Sequence, residues 1–275
     1  MDKSIIEFPE CWEEITTREW VYLLKLRQML IVLNGKADLI DIKRMWCRYV
    51  LKSRGVSSFR RSTDFNILTD RLASTLSWQW RVTDNVIELT FDSTVNLLPS
   101  WHIYHGPASH GADMMFGEFR YAVTQMNDFT QNNDIAALNN LCAVLYREVD
   151  YNGERIPFTQ SVMRDNADRF NAMPVYLRWG VYAWFASFCK FLQDGVFVID
   201  GQEITFAPLL KGGSGNGDAV GSQSLGLNSI LFSVAETGVF GSIDDVDNTQ
   251  LVRVLLKLLD DKQKADSLLK SIKQK

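Results

Sequence analysis

Apolar residues recur at intervals of three and four along most of this chain, and that spacing constrains its fold more than any other feature. Trp20, Leu23 and Leu24 open the first run, and Thr16 and Glu19 precede it in a capping-box arrangement. Further helices are predicted after Asp38, Asp64, Glu118, Asp134 and Pro174, and over 225–237, 246–259 and 261–272. The pattern predicts a mainly α, multi-helix globular protein.

Two segments depart from the helical period. Residues 78–91 and residues 196–206 each contain two short runs in which apolar and polar side chains alternate, separated by a polar turn. Alternation with a period of two is typical of strands, and a short polar connection between two such runs indicates a hairpin. The sequence therefore predicts two short β-hairpins among the helices.

The length of 275 residues allows one large domain or two modest ones. Residues 1–95 are expected to form an N-terminal helical region that ends in the first hairpin. Residues 96–275 are expected to form the helical main region, which begins with an irregular stretch and contains a glycine-rich loop at 211–224 before the C-terminal helices. The two regions could also form one continuous domain.

The cysteines and the N-terminus favour a cytoplasmic protein. The four cysteines are far apart in sequence and none forms a Cys-x-x-Cys pair, which indicates reduced thiols. The N-terminus lacks the basic start and apolar run of a signal peptide. In the aromatic segment 175–192, Arg178 and Lys190 leave eleven uncharged residues between them, too few to span a bilayer, so a buried helix is predicted.

All three histidines fall within one short stretch. His102, His105 and His110, with Asp113 nearby, suggest a metal site, because imidazole is the commonest metal ligand. The spacing matches no established metal motif, and Gly106 and Pro107 place the stretch in a loop. A metal-dependent enzyme at this cluster is kept as one alternative function.

The segment 36–61 carries eight basic residues against two acidic ones. A basic helix face is the feature that a nucleic-acid-binding surface needs, so a DNA-associated protein is the second alternative. The overall charge of −4 gives no general attraction to nucleic acid, and a solvated helix face is the favoured interpretation. The residues that would bind nucleic acid are Arg44, Arg48, Lys52, Arg60 and Arg61.

The glycine-rich loop does not have the sequence of a nucleotide-binding loop. A P-loop needs Lys and Ser or Thr directly after its last glycine, whereas Asp218 and Ala219 follow Gly217 here. No nucleophile motif is present either. The sequence therefore predicts no catalytic residue and no cofactor.

Three passages taken together resemble a known class of proteins. They are Phe116-Gly-Glu-Phe119 after Gly106-Pro107, the run Leu138–Arg147, and the run Leu227–Gly241. In this order they resemble phage and prophage proteins of Bacteroides-type gut bacteria that are encoded among tail genes. Those proteins are regarded as tail-assembly (tape-measure) chaperones or related morphogenesis factors.

The resemblance implies a non-enzymatic phage morphogenesis protein, either a tail-assembly chaperone or a virion-associated structural factor. Its partner would be a phage structural protein of the tail or tape-measure type, bound through apolar helix faces. Such a protein would be found in the cytoplasm of the bacterial host or in the virion. Neither a membrane nor nucleic acid is an expected partner, and no oligomeric state is predicted.

Overall fold

The structure is a computed structural model, which describes residues 7–33, 38–56, 63–84, 86–199, 201–210 and 227–273. The protein is 65% helical, which confirms the predicted mainly α class. In the described residues the α-helices are α1 (Thr17–Leu33), α2 (Leu39–Ser53), α3 (Thr63–Thr75), α4 (Phe116–Asn132), α5 (Ile135–Leu145), α6 (Gln160–Ala167), α7 (Val175–Asp194), α8 (Ala207–Leu210), α9 (Leu227–Glu236), α10 (Ile243–Asp247) and α11 (Leu251–Lys273).

Side-chain caps fix where several of these helices begin. The Thr16 and Glu19 capping box is present: the Thr16 amide donates to the Glu19 carboxylate at 2.8 Å, and the Glu19 amide donates to the Thr16 hydroxyl at 3.3 Å. Asp38 caps α2 and Asp134 caps α5 more simply, since each carboxylate accepts a hydrogen bond from the amide two residues further on. The predicted glycine-rich loop 211–224 lies outside the described residues.

In the part of the chain that the structure describes, three two-stranded antiparallel sheets accompany the helices. The predicted hairpins are both present, and a third, at residues 100–105, lies in the stretch expected to be irregular. Its strands are only two residues long, too short for alternation to show in the sequence. The strand pairs are β1 (Trp80–Thr83) with β2 (Val86–Leu89), β3 (Ser100–Trp101) with β4 (Tyr104–His105), and β5 (Phe197–Ile199) with β6 (Gln202–Ile204).

The described chain forms two compact units. Unit 1 contains the residues up to Leu98 and the segment Pro174–Trp184. Unit 2 contains Pro99–Met173 and the residues from Phe185 onward. α7 therefore contributes its first half to one unit and its second half to the other. The predicted division into residues 1–95 and 96–275 stays a prediction.

Aromatic side chains fill the core of unit 1. Trp12 makes edge contacts with Trp20 and Trp78, at ring-centroid distances of 5.4 and 4.7 Å, and Phe91 packs against both Trp12 and Trp20. Gly180 in α7 allows a close approach to this unit, since a Cβ atom there would lie 2.7 Å from Leu24 Cδ1. That long-range contact explains why a segment far along the sequence belongs to unit 1.

Unit 2 is built on α4 and α5, and α5 is its most buried helix. Every residue from Ala137 to Leu145 is buried except Asn140. Phe119 on α4 packs against Phe185 and Phe188 of the second half of α7, with centroids 6.0 and 6.4 Å apart. α6, at Gln160–Ala167, was not predicted, because only two of its eight residues, Val162 and Met163, are large and apolar.

The C-terminal helix differs from the prediction of two separate runs. α11 continues through Asp260 and Asp261, which were expected to begin a second helix. Both aspartates form ion pairs one turn along the helix, Asp260 with Lys264 at 2.5 Å and Asp261 with Lys257. Pairs at this spacing stabilise a helix, so the two carboxylates are accommodated in its interior.

Candidate functional site

The three histidines do not form a metal site. All three are exposed, and within the described residues no group of three or more His, Cys, Asp or Glu side chains could hold a metal ion. His102 and His110 have positive φ angles of 52° and 63°, and His102 lies in the two-residue turn of the β3–β4 hairpin. His105 pairs through its backbone with Arg147. Tight turns and one backbone bridge therefore set the positions of these residues, and the rings do not converge.

The basic segment is only partly available for a ligand. Arg44 is bound by two carboxylates, Asp70 at 2.6 Å and Asp41 at 3.0 Å, which neutralise its charge. Arg48, one turn along α2, donates only to the amide oxygen of Asn66, at 3.3 Å, among the described residues. Lys52 is exposed. Arg60 and Arg61, which were predicted with them, lie outside the described residues.

Arg48 and Lys52 face a groove of about 660 Å³ in unit 1. The rings of Tyr22 and Tyr49 stack in it almost in parallel, with centroids 4.1 Å apart and an interplanar angle of 12°. Arg44 lies in a neighbouring depression that also contains Asp41 and Asp70, and Arg48 lines both the groove and this depression. The groove is lined by Tyr22, Met45, Arg48, Tyr49, Lys52, Val56, Phe65 and Asn66.

The most extensive polar cluster in unit 2 is buried and contains two arginines. The side chain of Glu118 is fully buried and accepts hydrogen bonds from Arg155 at 2.5 and 3.2 Å and from Arg147 at 3.1 Å. Asp113, which is half exposed, binds Arg155 at 2.9 Å. We call these four residues the Glu118 cluster: two cations and two carboxylates, with no net charge.

The arginines of the Glu118 cluster also bind backbone carbonyl groups. Arg147 donates to the carbonyls of Val144 and Ile156, and Arg155 donates to that of Leu145 at 2.8 Å. Burial lowers the pKa of Arg147. Burial acts in the same direction on Arg155, but the attraction of Glu118 outweighs it and raises the pKa. The cluster therefore joins the end of α5 to the start of α4, a structural role.

Two of the three passages that resemble phage tail-gene proteins contribute residues to the Glu118 cluster. Glu118 belongs to the first passage and Arg147 ends the second. Gly117 also has a packing role, because a Cβ atom there would lie 2.8 Å from the Cβ of Asp247 in α10. Asp247 in turn forms an ion pair with Arg120 at 2.6 Å. The signals of this arrangement in the sequence are weak: a glutamate within an apolar run and an arginine directly after one.

Unit 1 contains a similar but smaller arrangement. Glu19 is fully buried and binds Arg54 through both carboxylate oxygens, at 2.9 and 3.0 Å. Burial by itself would raise the pKa of Glu19, but the hydrogen bonds from Arg54 and from the Thr16 amide outweigh it and hold that pKa below its usual value. Arg54 also donates to the backbone carbonyls of Glu7 and Glu14. It thereby fastens the N-terminal segment to α2.

Two of the described thiols, those of Cys47 and Cys189, are not activated for chemistry. Burial raises the pKa of Cys47 to about 12 and also raises that of Cys189. A reactive cysteine needs a lowered pKa, because the thiolate is the nucleophile. These two residues therefore act as small apolar side chains.

The second half of α11 presents apolar side chains to solvent. Every residue from Gln263 to Ile272 is exposed, whereas Leu251, Val254, Leu255 and Leu259 in the first half are buried. Leu268, Leu269 and Ile272 are exposed by 64, 56 and 68%. With Ala265 they follow the i, i+3, i+4, i+7 spacing of one helix face. We call this face the α11 stripe.

Among the helices that the structure describes, none combines the length and the apolar character needed to cross a membrane. Comparison of the chain with protein-family models, with curated proteins and with solved structures finds no match.

Proposed function

We propose that the chain is a non-enzymatic binding protein of phage morphogenesis, a tail-assembly chaperone or virion-associated structural factor of the bacterial host cytoplasm. It holds a phage structural protein of the tail or tape-measure type. The observation that carries this proposal is the α11 stripe. The resemblance of the passages around Glu118 and Arg147 supports the choice of a phage protein.

The α11 stripe has the properties of a docking helix. The packed first half of α11 supplies the helix nucleus, so the second half can continue in helical form without contacts of its own. The ten residues 263–272 extend the helix by about 15 Å. Each of the three large apolar side chains would contribute on the order of 1–2 kcal/mol if its exposed part were buried on a partner.

Charge indicates what kind of partner fits. Residues 262–275 contain five lysines and one aspartate, so the stripe lies in a basic segment. Two copies of this segment side by side would repel each other, which disfavours self-association. The glycine-rich segment 211–226 has few apolar residues, chiefly Val220 and Leu225, and would cover the stripe poorly. We therefore assign the stripe to an acidic segment of the client protein that carries its own apolar side chains.

Co-expression with the neighbouring genes tests this assignment. The tagged chain is purified and the proteins retained with it are identified and quantified by mass spectrometry. One variant replaces the stripe (L268S/L269S/I272S), and the control replaces three other exposed apolar residues in the hairpins (V82S/V86S/V198S). The two variants remove similar exposed apolar area.

We expect one tail or virion protein to be retained at a fixed ratio by the original chain and by the hairpin control, and to be lost with the stripe variant. The three side chains together represent about 3–6 kcal/mol, more than a hundredfold in affinity. Retention should also weaken as salt is raised. The proposal is wrong if no phage structural protein is retained, or if the stripe variant retains it as well as the control does. Loss of a homodimer in the stripe variant would show that a second copy is the occupant and would also contradict the proposal.

A further inference from the structure

The described lining of the groove in unit 1 combines cationic, hydroxyl and aromatic groups and contains no carboxylate. Its polar lining consists of Arg48, Lys52, Asn66 and the tyrosines Tyr22 and Tyr49. Arginine and lysine are donors only, and neutral tyrosine donates through its hydroxyl group. A site whose polar groups are mostly donors is complementary to an anion.

The groups that would bind the anion are not used elsewhere in the described residues. The Arg48 side chain makes one hydrogen bond, to the neutral amide of Asn66, and no ion pair with a described residue, although it also lines the depression that contains Asp41 and Asp70. The Lys52 side chain is exposed and has neither an ion pair nor a hydrogen bond with any described residue. Residues four apart on a helix are neighbours, so the two cations lie on the same side of the groove. Arg44, by contrast, is already neutralised by Asp41 and Asp70.

The rest of the groove suits a flat ligand. The two stacked tyrosines are each half-buried, and Met45, Val56 and Phe65 add apolar surface. Burial, with a smaller effect of Tyr49, raises the pKa of Tyr22, so its hydroxyl group keeps its proton at neutral pH. Aromatic side chains that stack on bases beside cations that bind phosphate are the usual means of holding nucleotides without regard to sequence.

We propose that this groove binds a nucleotide, with its phosphate on Arg48 and Lys52 and its base against the tyrosine pair. The volume of about 660 Å³ is within the usual range for small-ligand sites. The nucleotide is either free or part of a single-stranded nucleic acid, since both present the same phosphate and base. The groove is independent of the α11 stripe, because it belongs to unit 1 and the stripe to unit 2.

Binding measurements on the full chain test the proposal. The probes are AMP, a fluorescently labelled oligothymidylate and inorganic phosphate, measured by calorimetry for the small molecules and by fluorescence anisotropy for the oligonucleotide. Three variants each remove one positive charge from α2: Arg48→Gln, Lys52→Gln and, as the matched control, Arg44→Gln. Lys52 is exposed and unpaired among the described residues, so its variant should fold normally.

We expect Arg48→Gln and Lys52→Gln to weaken nucleotide binding by about tenfold to a hundredfold, the value of a charge-assisted hydrogen bond, and Arg44→Gln to have little effect. Equal affinity for AMP and for one site of the oligonucleotide identifies a free nucleotide as the ligand. Binding of the oligonucleotide alone, weakened by salt, identifies a single strand. The proposal is overturned if neither probe binds, if phosphate binds as tightly as AMP, or if Arg44→Gln weakens binding as much as the other two variants.

Discussion

Replacing Glu118 by Gln should destabilise unit 2 more than any surface substitution in the chain. The side chain has no exposed area and is the carboxylate that both buried arginines share. Glutamine keeps the shape and can still accept hydrogen bonds, but it removes the negative charge. Arg147 and Arg155, whose side chains are only 3 and 6% exposed, would then be balanced by Asp113 alone.

The size of the loss in stability follows from the burial of Glu118 and its two arginine partners. Removing one partner of a buried ion pair costs about 3–5 kcal/mol, because the remaining charge stays buried without compensation. In a unit of roughly 150–250 residues each kcal/mol lowers Tm by about 2–4 °C, so the expected decrease is roughly 6–20 °C. Asp113, which is half exposed, keeps its interaction with Arg155, so we expect a decrease in Tm in the lower half of that range.

Thermal unfolding followed by calorimetry measures this effect. The control is Asp260→Asn, which breaks an exposed ion pair on α11 and should leave Tm unchanged within error. The double variant Glu118→Gln/Arg155→Met restores charge balance, so it should cost clearly less than the sum of the two single variants. A decrease for Glu118→Gln no larger than that of the control would refute the reasoning, and strictly additive costs would show that charge imbalance is not the cause.

Three further predictions concern unit 1. The lowered pKa of Glu19 stabilises the folded state at neutral pH, and this contribution is lost as the pH falls below about 4.5. Urea titrations from pH 7 to pH 3 should therefore show a smaller loss of stability in Glu19→Gln than in the original chain. Cys47, buried and with its pKa raised to about 12, should react with iodoacetamide at pH 8 only on unfolding, so rapid labelling of the native protein would contradict the structure. Neither polar atom of the buried Gln79 side-chain amide has a hydrogen-bond partner among the described residues. Gln79→Met should therefore stabilise the protein by about 1–3 kcal/mol in urea unfolding. A loss of stability would show that the amide is hydrogen-bonded to buried water.

Local signals in the sequence were sufficient for most helices and for two hairpins. The capping residues Thr16, Asp38 and Asp134 lie where the helices begin, because a side chain that accepts a hydrogen bond from a first-turn amide acts over only two or three residues. α6 and the β3–β4 hairpin were missed, since one has few large apolar residues and the other is only two pairs long. Asp260 and Asp261 were expected at the start of a helix but lie within α11, because their ion pairs with Lys264 and Lys257 were not considered.

The functional groups depended on contacts that no local pattern contains. Glu118 meets Arg147 and Arg155, which follow it by 29 and 37 residues. The three histidines illustrate the opposite case: they are close in sequence, but they belong to no metal-binding group among the described residues. Charge counting over the segment 36–61 did not distinguish Arg44, which is neutralised, from Arg48, which is not.

The most direct test of the proposed function is hydrogen–deuterium exchange on the chain alone and in complex with the phage protein that co-purifies with it. Backbone amides of residues 263–272 should exchange rapidly in the free chain, because every residue of this half of α11 is exposed. The proposed role of the α11 stripe predicts that the client slows exchange in this segment by more than tenfold, well beyond any change in α4 and α5. Unchanged exchange in residues 263–272, with protection elsewhere in the chain, would contradict it.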